Sequence, residues 1–409
     1  MTDPIDDRVE AQTDAPETTQ EATESADVEL NGFEDFALPE PLLKAISELG
    51  FEFCTPIQSV SLPYGLADYD ITGQAQTGTG KTAAFLITML THMWENPLQE
   101  TPPNGTPRAL ILAPTRELAL QIEADGKELA KYMDERLMCV VGGMDFQKQR
   151  DKLNKRPIDI LVATPGRLID FVNRREIDLG RVETLVIDEA DRMLDMGFIP
   201  DVRRIVYKTP HKSKRQTLFF SATFNDDVMR LAKSWTLDPE HISITPENVV
   251  TDTVEQSFWL VSADRKSTVL AGFLKKAETG RVLIFTNRRD QTHQLTKYLN
   301  QHGIVCEALA GDVPQRKRLS TLNSFKEGSL KYVVATDVAG RGIHVDDITH
   351  VVNFDLPEDP EDYVHRIGRT GRAGTEGKSI SFVSEDDAFN LPPIENFLGK
   401  PVDCKQPDY

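Results

Sequence analysis

The chain has 409 residues, too many for one ordinary hydrophobic core, so two domains are expected. Its net charge is −19, and its four cysteines (Cys54, Cys139, Cys306, Cys404) lack the paired spacing of a disulfide framework or a zinc site. No apolar segment approaches membrane length and the acidic N-terminus is unlike a secretory signal, so the expected location is cytoplasmic.

Residues 1–29 carry ten acids against one base, Arg8, and no aromatic side chain. A stretch of net −9 with so little apolar content cannot build a core, and a disordered acidic tail is expected. Phe33 then stands seventeen residues before Gly50-Phe51, which leads into Cys54-Thr55-Pro56-Ile57-Gln58. A carboxamide can pair bidentately with the N6 and N7 edge of adenine, a contact of roughly 1–3 kcal/mol in DNA readout, and a ring such as Phe33 can stack on the base. In isolation Gln58 is an ordinary polar side chain; the adenine reading depends on the loop downstream of it. Ala75, Gln76, Thr77, Gly78, Thr79, Gly80, Lys81 and Thr82 form a glycine-rich loop ahead of a helix-like run. The glycines let backbone N–H groups turn toward an anion, and the helix start adds orphan donors. Lys81 would reach the β- and γ-phosphates and the Thr82 hydroxyl would ligate magnesium, although Ala75 replaces the first glycine of the usual pattern. A nucleoside triphosphate is implied.

Strand-like apolar runs come next at 109–113, 158–163, 185–187 and 218–220, with a helical stretch at 117–133. The run 185–187 leads straight into Asp188-Glu189-Ala190-Asp191, which places the acids at the carboxyl end of a buried parallel strand. There Asp188 would hold a magnesium ion and Glu189 would orient or deprotonate an attacking water. An acidic helix start favoured by the macrodipole is an equal reading of the tetrapeptide alone; the phosphate loop upstream decides between them. A basic run at 203–215 reads as a solvated face. Periodicity breaks at 245–253, a predicted linker. Beyond it, runs at 282–285, 332–335 and 350–354 with a helix at 290–300 repeat the strand–helix alternation of a doubly wound parallel sheet. Residues 365–372 then read His365-Arg366-Ile367-Gly368-Arg369-Thr370-Gly371-Arg372, whose spacing suggests an anion-facing surface. Arginine forks suit phosphate oxygens, and an arginine from a second domain can stabilise transition-state charge, the role expected of Arg369 and Arg372.

Together these segments resemble the DEAD-box ATP-dependent RNA helicases, over about residues 33–400. The resemblance implies two tandem RecA-like domains, 30–244 and 254–400, with a C-terminal tail at 401–409. It implies RNA contacts from Pro114, Thr115, Arg116, Gly143, Thr164, Gly166 and Arg167 in the first domain. In the second it implies them from Asn287, Gln315, Arg318, Thr336 and Asp337. Ser221, Thr223, Arg341 and His365 would couple ATP turnover to strand separation. One departure stands out: this chain has His344 where the family usually has an aspartate expected to touch the ATP ribose. That histidine, with Asp359-Pro360-Glu361-Asp362-Tyr363 and Asn390-Leu391-Pro392-Pro393-Ile394-Glu395, is similar to a bacterial subgroup associated with the RNA degradosome, which implies a ribonuclease E-type scaffold as partner.

The expected activity is local unwinding of short RNA duplexes by ATP-driven closure of the two domains. The same residues would serve an ATP-gated RNA clamp, and a DNA translocase shares the phosphate loop and arginine fingers. Subtracting the tail leaves −10 on the folded part. Phosphate contacts need local donors and not bulk charge, so RNA binding is expected to be weak and salt-sensitive without ATP.

Overall fold

The computed structural model describes residues 31–75, 78–244, 254–340, 345, 347–371 and 377–407. The expected tail at 1–29 and linker at 245–253 lie outside the described residues, as do Gln76, Thr77, Arg341, His344 and Arg372.

The described strands form two seven-stranded sheets. The first contains β1 (Ile71–Gln74), β2 (Ala109–Leu112), β3 (Leu137–Val140), β4 (Ile160–Ala163), β5 (Thr184–Ile187), β6 (Gln216–Ser221) and β7 (Glu240–Ser243). Their spatial order is β3-β4-β2-β5-β6-β1-β7, every pairing parallel. The second contains β8 (Val254–Leu260), β9 (Arg281–Phe285), β10 (Cys306–Leu309), β11 (Tyr332–Ala335), β12 (Ile348–Asn353), β13 (Gly377–Val383) and β14 (Cys404–Lys405). Their order, β10-β11-β9-β12-β13-β8-β14, is again parallel throughout. The doubly wound parallel architecture expected from the alternation is the one observed, once in each half.

Unbroken apolar strands make sense because both faces of each sheet are covered. Along β2, Ala109 and Ile111 join the core under helices Glu40–Glu48, Pro56–Leu66, Lys81–Glu95 and Arg116–Leu129. Leu110 and Leu112 face the other way, toward Pro165–Asn173, Ile199–Val206 and Asp226–Trp235. This period-two division recurs in the second lobe, where Val282 and Ile284 enter one core and Leu283 and Phe285 the other.

Sheet register decides where function collects. Leu112 pairs with Ile187, Ile187 with Phe219, and Gln74 with Ser221. The carboxyl ends of β1, β2, β5 and β6 therefore lie side by side, and each is followed directly by one of the segments singled out in the sequence. Open α/β sheets place ligands at this edge.

The basic run at 203–215 divides. Arg203 and Arg204 are exposed as expected, whereas Arg215 is buried and donates to Thr209 Oγ1 at 2.7 Å and to the carbonyls of Pro210 and Trp235. A guanidinium at the start of β6 is needed to satisfy loop carbonyls that water cannot reach. All four cysteines are free. Among the described residues no helix is long and apolar enough to cross a membrane.

The packing yields a stability prediction. Phe85 is fully buried and its ring lies 5.9 Å from that of Phe220. Phe85→Ala is expected to destabilise the first lobe by about 3–5 kcal/mol, read as a lower urea midpoint for that lobe's transition.

Candidate functional site

Beyond the ends of β1 and β5 lies a cavity of about 400 Å³, lined by Phe51, Phe53, Thr55, Gln58, Gly78, Gly80, Lys81, Thr82, Leu118, Gln121, Asp125, Asp188 and Glu189. Every lining residue belongs to the first lobe.

The phosphate loop is tied to the segment before it. Gln58 accepts from the Thr55 N–H at 2.8 Å, closing a capping box, and donates from Nε2 to the Gly80 carbonyl at 3.0 Å. Gly80 has φ +98°, and a Cβ there would come within 2.5 Å of Gln58 Nε2 and 2.7 Å of Thr55 Oγ1. Only glycine fits. The carboxamide keeps one N–H and one lone pair unused by these bonds. Gly78 is also in the left-handed region, Thr79 is half-buried, and Ala75 is buried with its carbonyl accepting from Lys81 Nζ. Lys81 is thus held on its own loop, and Thr82 is half-buried on the cavity wall.

The expectation for Phe33 is corrected. Its ring is buried at 3% exposure and stacks on Phe51, 6.4 Å away at 30° between planes. The bridge between Gly32 and Phe53 fixes this segment beneath the cavity wall, so the ring that reaches the cavity is Phe51, 42% exposed. Its place next to Gly50, seven residues before Gln58, was the available sequence signal.

At the end of β5, Asp188 and Glu189 are both buried. Glu189 takes φ +53° and ψ +55°, a left-handed conformation costly for a residue with a Cβ. Neither of its carboxylate oxygens has a hydrogen-bond partner among the described residues, and Arg192 Nε stands 3.7 Å away. Asp188 accepts from the Glu189 N–H at 3.0 Å. Burial pushes the Asp188 carboxyl up to about 7, Lys81 opposes that rise, and Glu189 and Asp191 add to it. Two buried carboxyls with so few donors, beside the Thr82 hydroxyl, form a set of hard oxygen ligands that fits magnesium.

Asp191 faces differently. Its Oδ2 accepts from the Ala222 and Thr223 N–H groups, both at 3.1 Å, and from Thr223 Oγ1 at 3.4 Å, while its own N–H donates to Ser221 Oγ at 3.2 Å. Ser221 and Thr223 are therefore fastened to the same helix start that carries Glu189.

The first-lobe RNA candidates also converge. Pro114 is buried, Thr115 caps its helix by accepting from Leu118 N–H at 3.2 Å, and Arg116 lies over the Gly142-Gly143 turn in the space a Gly143 Cβ would fill. Thr164 Oγ1 accepts from Gly142 N–H at 3.4 Å. Arg167 donates to the Met144 carbonyl at 3.0 Å, and exposed Gly166 has open space where a side chain would stand.

In the second lobe the expected anion-facing run is revised. Arg366, one of its members, is buried. It forks onto Asp337 with two 2.6 Å bonds, donates to Asn287 Oδ1 at 2.7 Å and to the Asp355 carbonyl at 2.7 Å, and covers the Phe285 ring. Asn287 also donates to the Leu356 carbonyl at 2.8 Å. Asn287 and Asp337 are thus occupied by an internal network, because a buried guanidinium must have its donors filled. Thr336 is buried beside them. Arg369 is buried as well and does not line the cavity. His365 Nδ1 stands 3.8 Å from Asp362.

Gln315 and Arg318 meet the first lobe. Gln315 donates to Glu117 Oε1 at 3.0 Å and accepts from Arg116 Nη1 at 3.1 Å, and Arg318 pairs with Glu117 at 3.2 Å. In this arrangement three expected RNA contacts hold the lobes together. Glu117, to which the sequence assigned no part, is their common partner.

Comparison with known proteins agrees with this geometry. Residues 55–231 match the DEAD/DEAH box helicase family and residues 265–374 the helicase conserved C-terminal domain. The chain is 56% identical over 375 residues to ATP-dependent RNA helicase RhlB of Pseudomonas aeruginosa (strain UCBPP-PA14), covering 92% of this chain and 94% of that protein. It is 55% identical to RhlB of Pseudomonas putida with the same coverage. Among solved structures, S. cerevisiae Dbp5 bound to RNA and ADP BeF3 superposes with a TM-score of 0.81 at 31% identity, covering 92% of this chain and 95% of that one. Mss116p bound to ssRNA and AMP-PNP gives 0.83 at 29% identity, covering 94% and 81%.

The buried charges give two predictions. A carboxyl whose folded value is raised destabilises the folded state above that value and ceases to do so once pH falls below the unfolded value near 3.9. Asp188→Asn should therefore raise unfolding free energy at pH 8 by about 1–3 kcal/mol and give no gain at pH 3, in urea titrations without nucleotide. Arg366→Ala leaves Asp337 facing no cation and should cost the second lobe about 3–5 kcal/mol, seen as an earlier unfolding transition.

Proposed function

The chain belongs to the DEAD/DEAH box helicase family, and from the site geometry we propose that it is an ATP-dependent RNA helicase that separates short duplexes by closing its two lobes on ATP and RNA together. Adenine would take the free donor and acceptor of the Gln58 carboxamide, with Phe51 against the ring. The amides of the 75–82 loop, Gln76 and Thr77 included, would cradle the phosphates. Lys81 would leave the Ala75 carbonyl for the β- and γ-phosphates, a better acceptor for an ammonium than a neutral oxygen.

Thr82 and Asp188 would hold a magnesium ion, which supplies charge neutralisation along the triphosphate. Glu189 would orient the attacking water and accept its proton. The observation that carries this reading is Glu189 itself: buried, held in a left-handed conformation, and with both oxygens lacking a hydrogen-bond partner among the described residues. A carboxylate kept so is poised for a ligand that arrives. Arg369 and Arg372 would approach the γ-phosphate from the second lobe on closure.

RNA would lie on the first lobe along Thr115, Arg116, Gly143, Thr164, Gly166 and Arg167, where a helix start and an unfilled glycine let a phosphate come close. Gln315, Arg318, Asn287, Thr336 and Asp337 would present the second lobe to the same strand. Ser221 and Thr223, joined to Asp191, and His365 with Arg341 would transmit the state of the phosphate to that surface. Opening a base-pair step costs about 1–2 kcal/mol, judged from DNA stacking, so one closure disrupts only a few pairs and processive travel is not expected.

We infer also that the protein works in RNA degradation in the cytoplasm with a ribonuclease E-type scaffold. That reading is supported by the likeness to RhlB proteins and by the segments at 359–363 and 390–395.

Lys81→Ala is expected to abolish ATP binding or turnover, measured by phosphate release. Glu189→Gln should keep ATP and RNA binding while turnover drops at least 100-fold, the usual scale of a lost general base. Full RNA-stimulated turnover in that variant, or failure of the unaltered chain to displace a strand from a short RNA duplex, would overturn the reading.

A further inference from the structure

Two helices from different lobes lie along one another. Arg116–Leu129 of the first and Gln315–Lys326 of the second meet where Glu117 takes Gln315 at 3.0 Å and Arg318 at 3.2 Å. Residues four and eight apart share one face of a helix. Glu117, Gln121 and Asp125 therefore form one stripe, and Arg318, Leu322 and Lys326 the other. Asp125 and Lys326 each stand eight residues beyond the Glu117–Arg318 pair, about 12 Å along either axis.

The far ends of the stripes also sense each other. Burial pushes the Asp125 carboxyl up, and a Gln121 hydrogen bond and the Lys326 charge both oppose that rise. Asp125 lines the same cavity as Lys81, Asp188 and Glu189. One carboxylate thus faces the nucleotide cavity on one side and a cation of the second lobe on the other. A triphosphate entering that cavity brings more negative charge against Asp125, and the cheapest relief is closer approach of Lys326.

We propose that Asp125 and Lys326 form an interlobe latch, a positioning pair through which the charge of bound ATP draws the second lobe onto the first. The proposal rests on the ATP-driven closure described above. It assigns to Asp125 and Lys326 part of the coupling between nucleotide and RNA.

The test uses the full chain. RNA oligonucleotide affinity is measured by fluorescence anisotropy with and without a non-hydrolysable ATP analogue, and the ratio of the two dissociation constants is the coupling. Asp125→Asn, which preserves shape, and Lys326→Ala are each expected to cut the ratio at least five-fold. Exchanging the charges (Asp125→Lys with Lys326→Asp) should restore it to within two-fold of the unaltered chain, a rescue that a purely structural role does not give. An unchanged ratio in either single variant, or an exchange no better than the singles, overturns the latch. If the exchanged chain does not fold, combining Asp125→Asn with Lys326→Ala decides instead: a combined loss equal to either single loss supports the latch, and additive losses overturn it. A ratio of one in the unaltered chain would remove the closure reading, and the latch with it.

Discussion

Burial of uncompensated negative charge governs this molecule. Asp188 and Glu189 sit at the end of a strand covered on both faces, where water cannot solvate them and the chain supplies little to pair with them. Such groups are expensive. The fold tolerates them because the strand and its neighbours are rigid and apolar, and because Asp191, the third acid of the cluster, is fully engaged by the Ala222 and Thr223 amides. Ligand affinity and local instability are here two views of one arrangement: the crowding of carboxyls that strains the cavity wall makes a polyphosphate with its cation welcome.

The second lobe handles charge in the opposite way. Arg366 is as deeply buried as Glu189, yet every direction in which it can donate is met, by Asp337, Asn287, Asn353 and a carbonyl. A satisfied buried network fixes geometry, whereas an unsatisfied one waits for a partner. Three segments distant in sequence, at 285–287, 335–337 and 353–366, are thereby held at fixed relative positions. The loops between them can then present a defined face to the first lobe.

Much of this was legible in the chain. Apolar runs uninterrupted by polar residues announced parallel strands, and the phosphate loop and acidic cluster announced themselves because their glycines and acids serve no packing purpose. The features that escaped notice did so for a physical reason. Phe33 and Phe51 are the same residue type, and only the bridge pinning Gly32 to Phe53 decides which ring is covered. Arginines at 366 and 369 read alike in a basic run, since spacing along a short helix says nothing of which face meets a buried aspartate. Glu117 looked like an ordinary first-turn acid until a residue about two hundred positions away was seen to grip it.

The contact between Gln58 and Gly80 has a pharmacological corollary. The side chain that would recognise a base also supports the backbone of the loop that would hold the phosphates, and no substituent can be added at Gly80 to separate them. A heterocycle competing for that carboxamide would strip the Gly80 carbonyl of its donor and deform the anion cradle from a distance. An inhibitor of this enzyme therefore need carry no phosphate mimic: occupying the purine end of the cleft is enough to spoil the other.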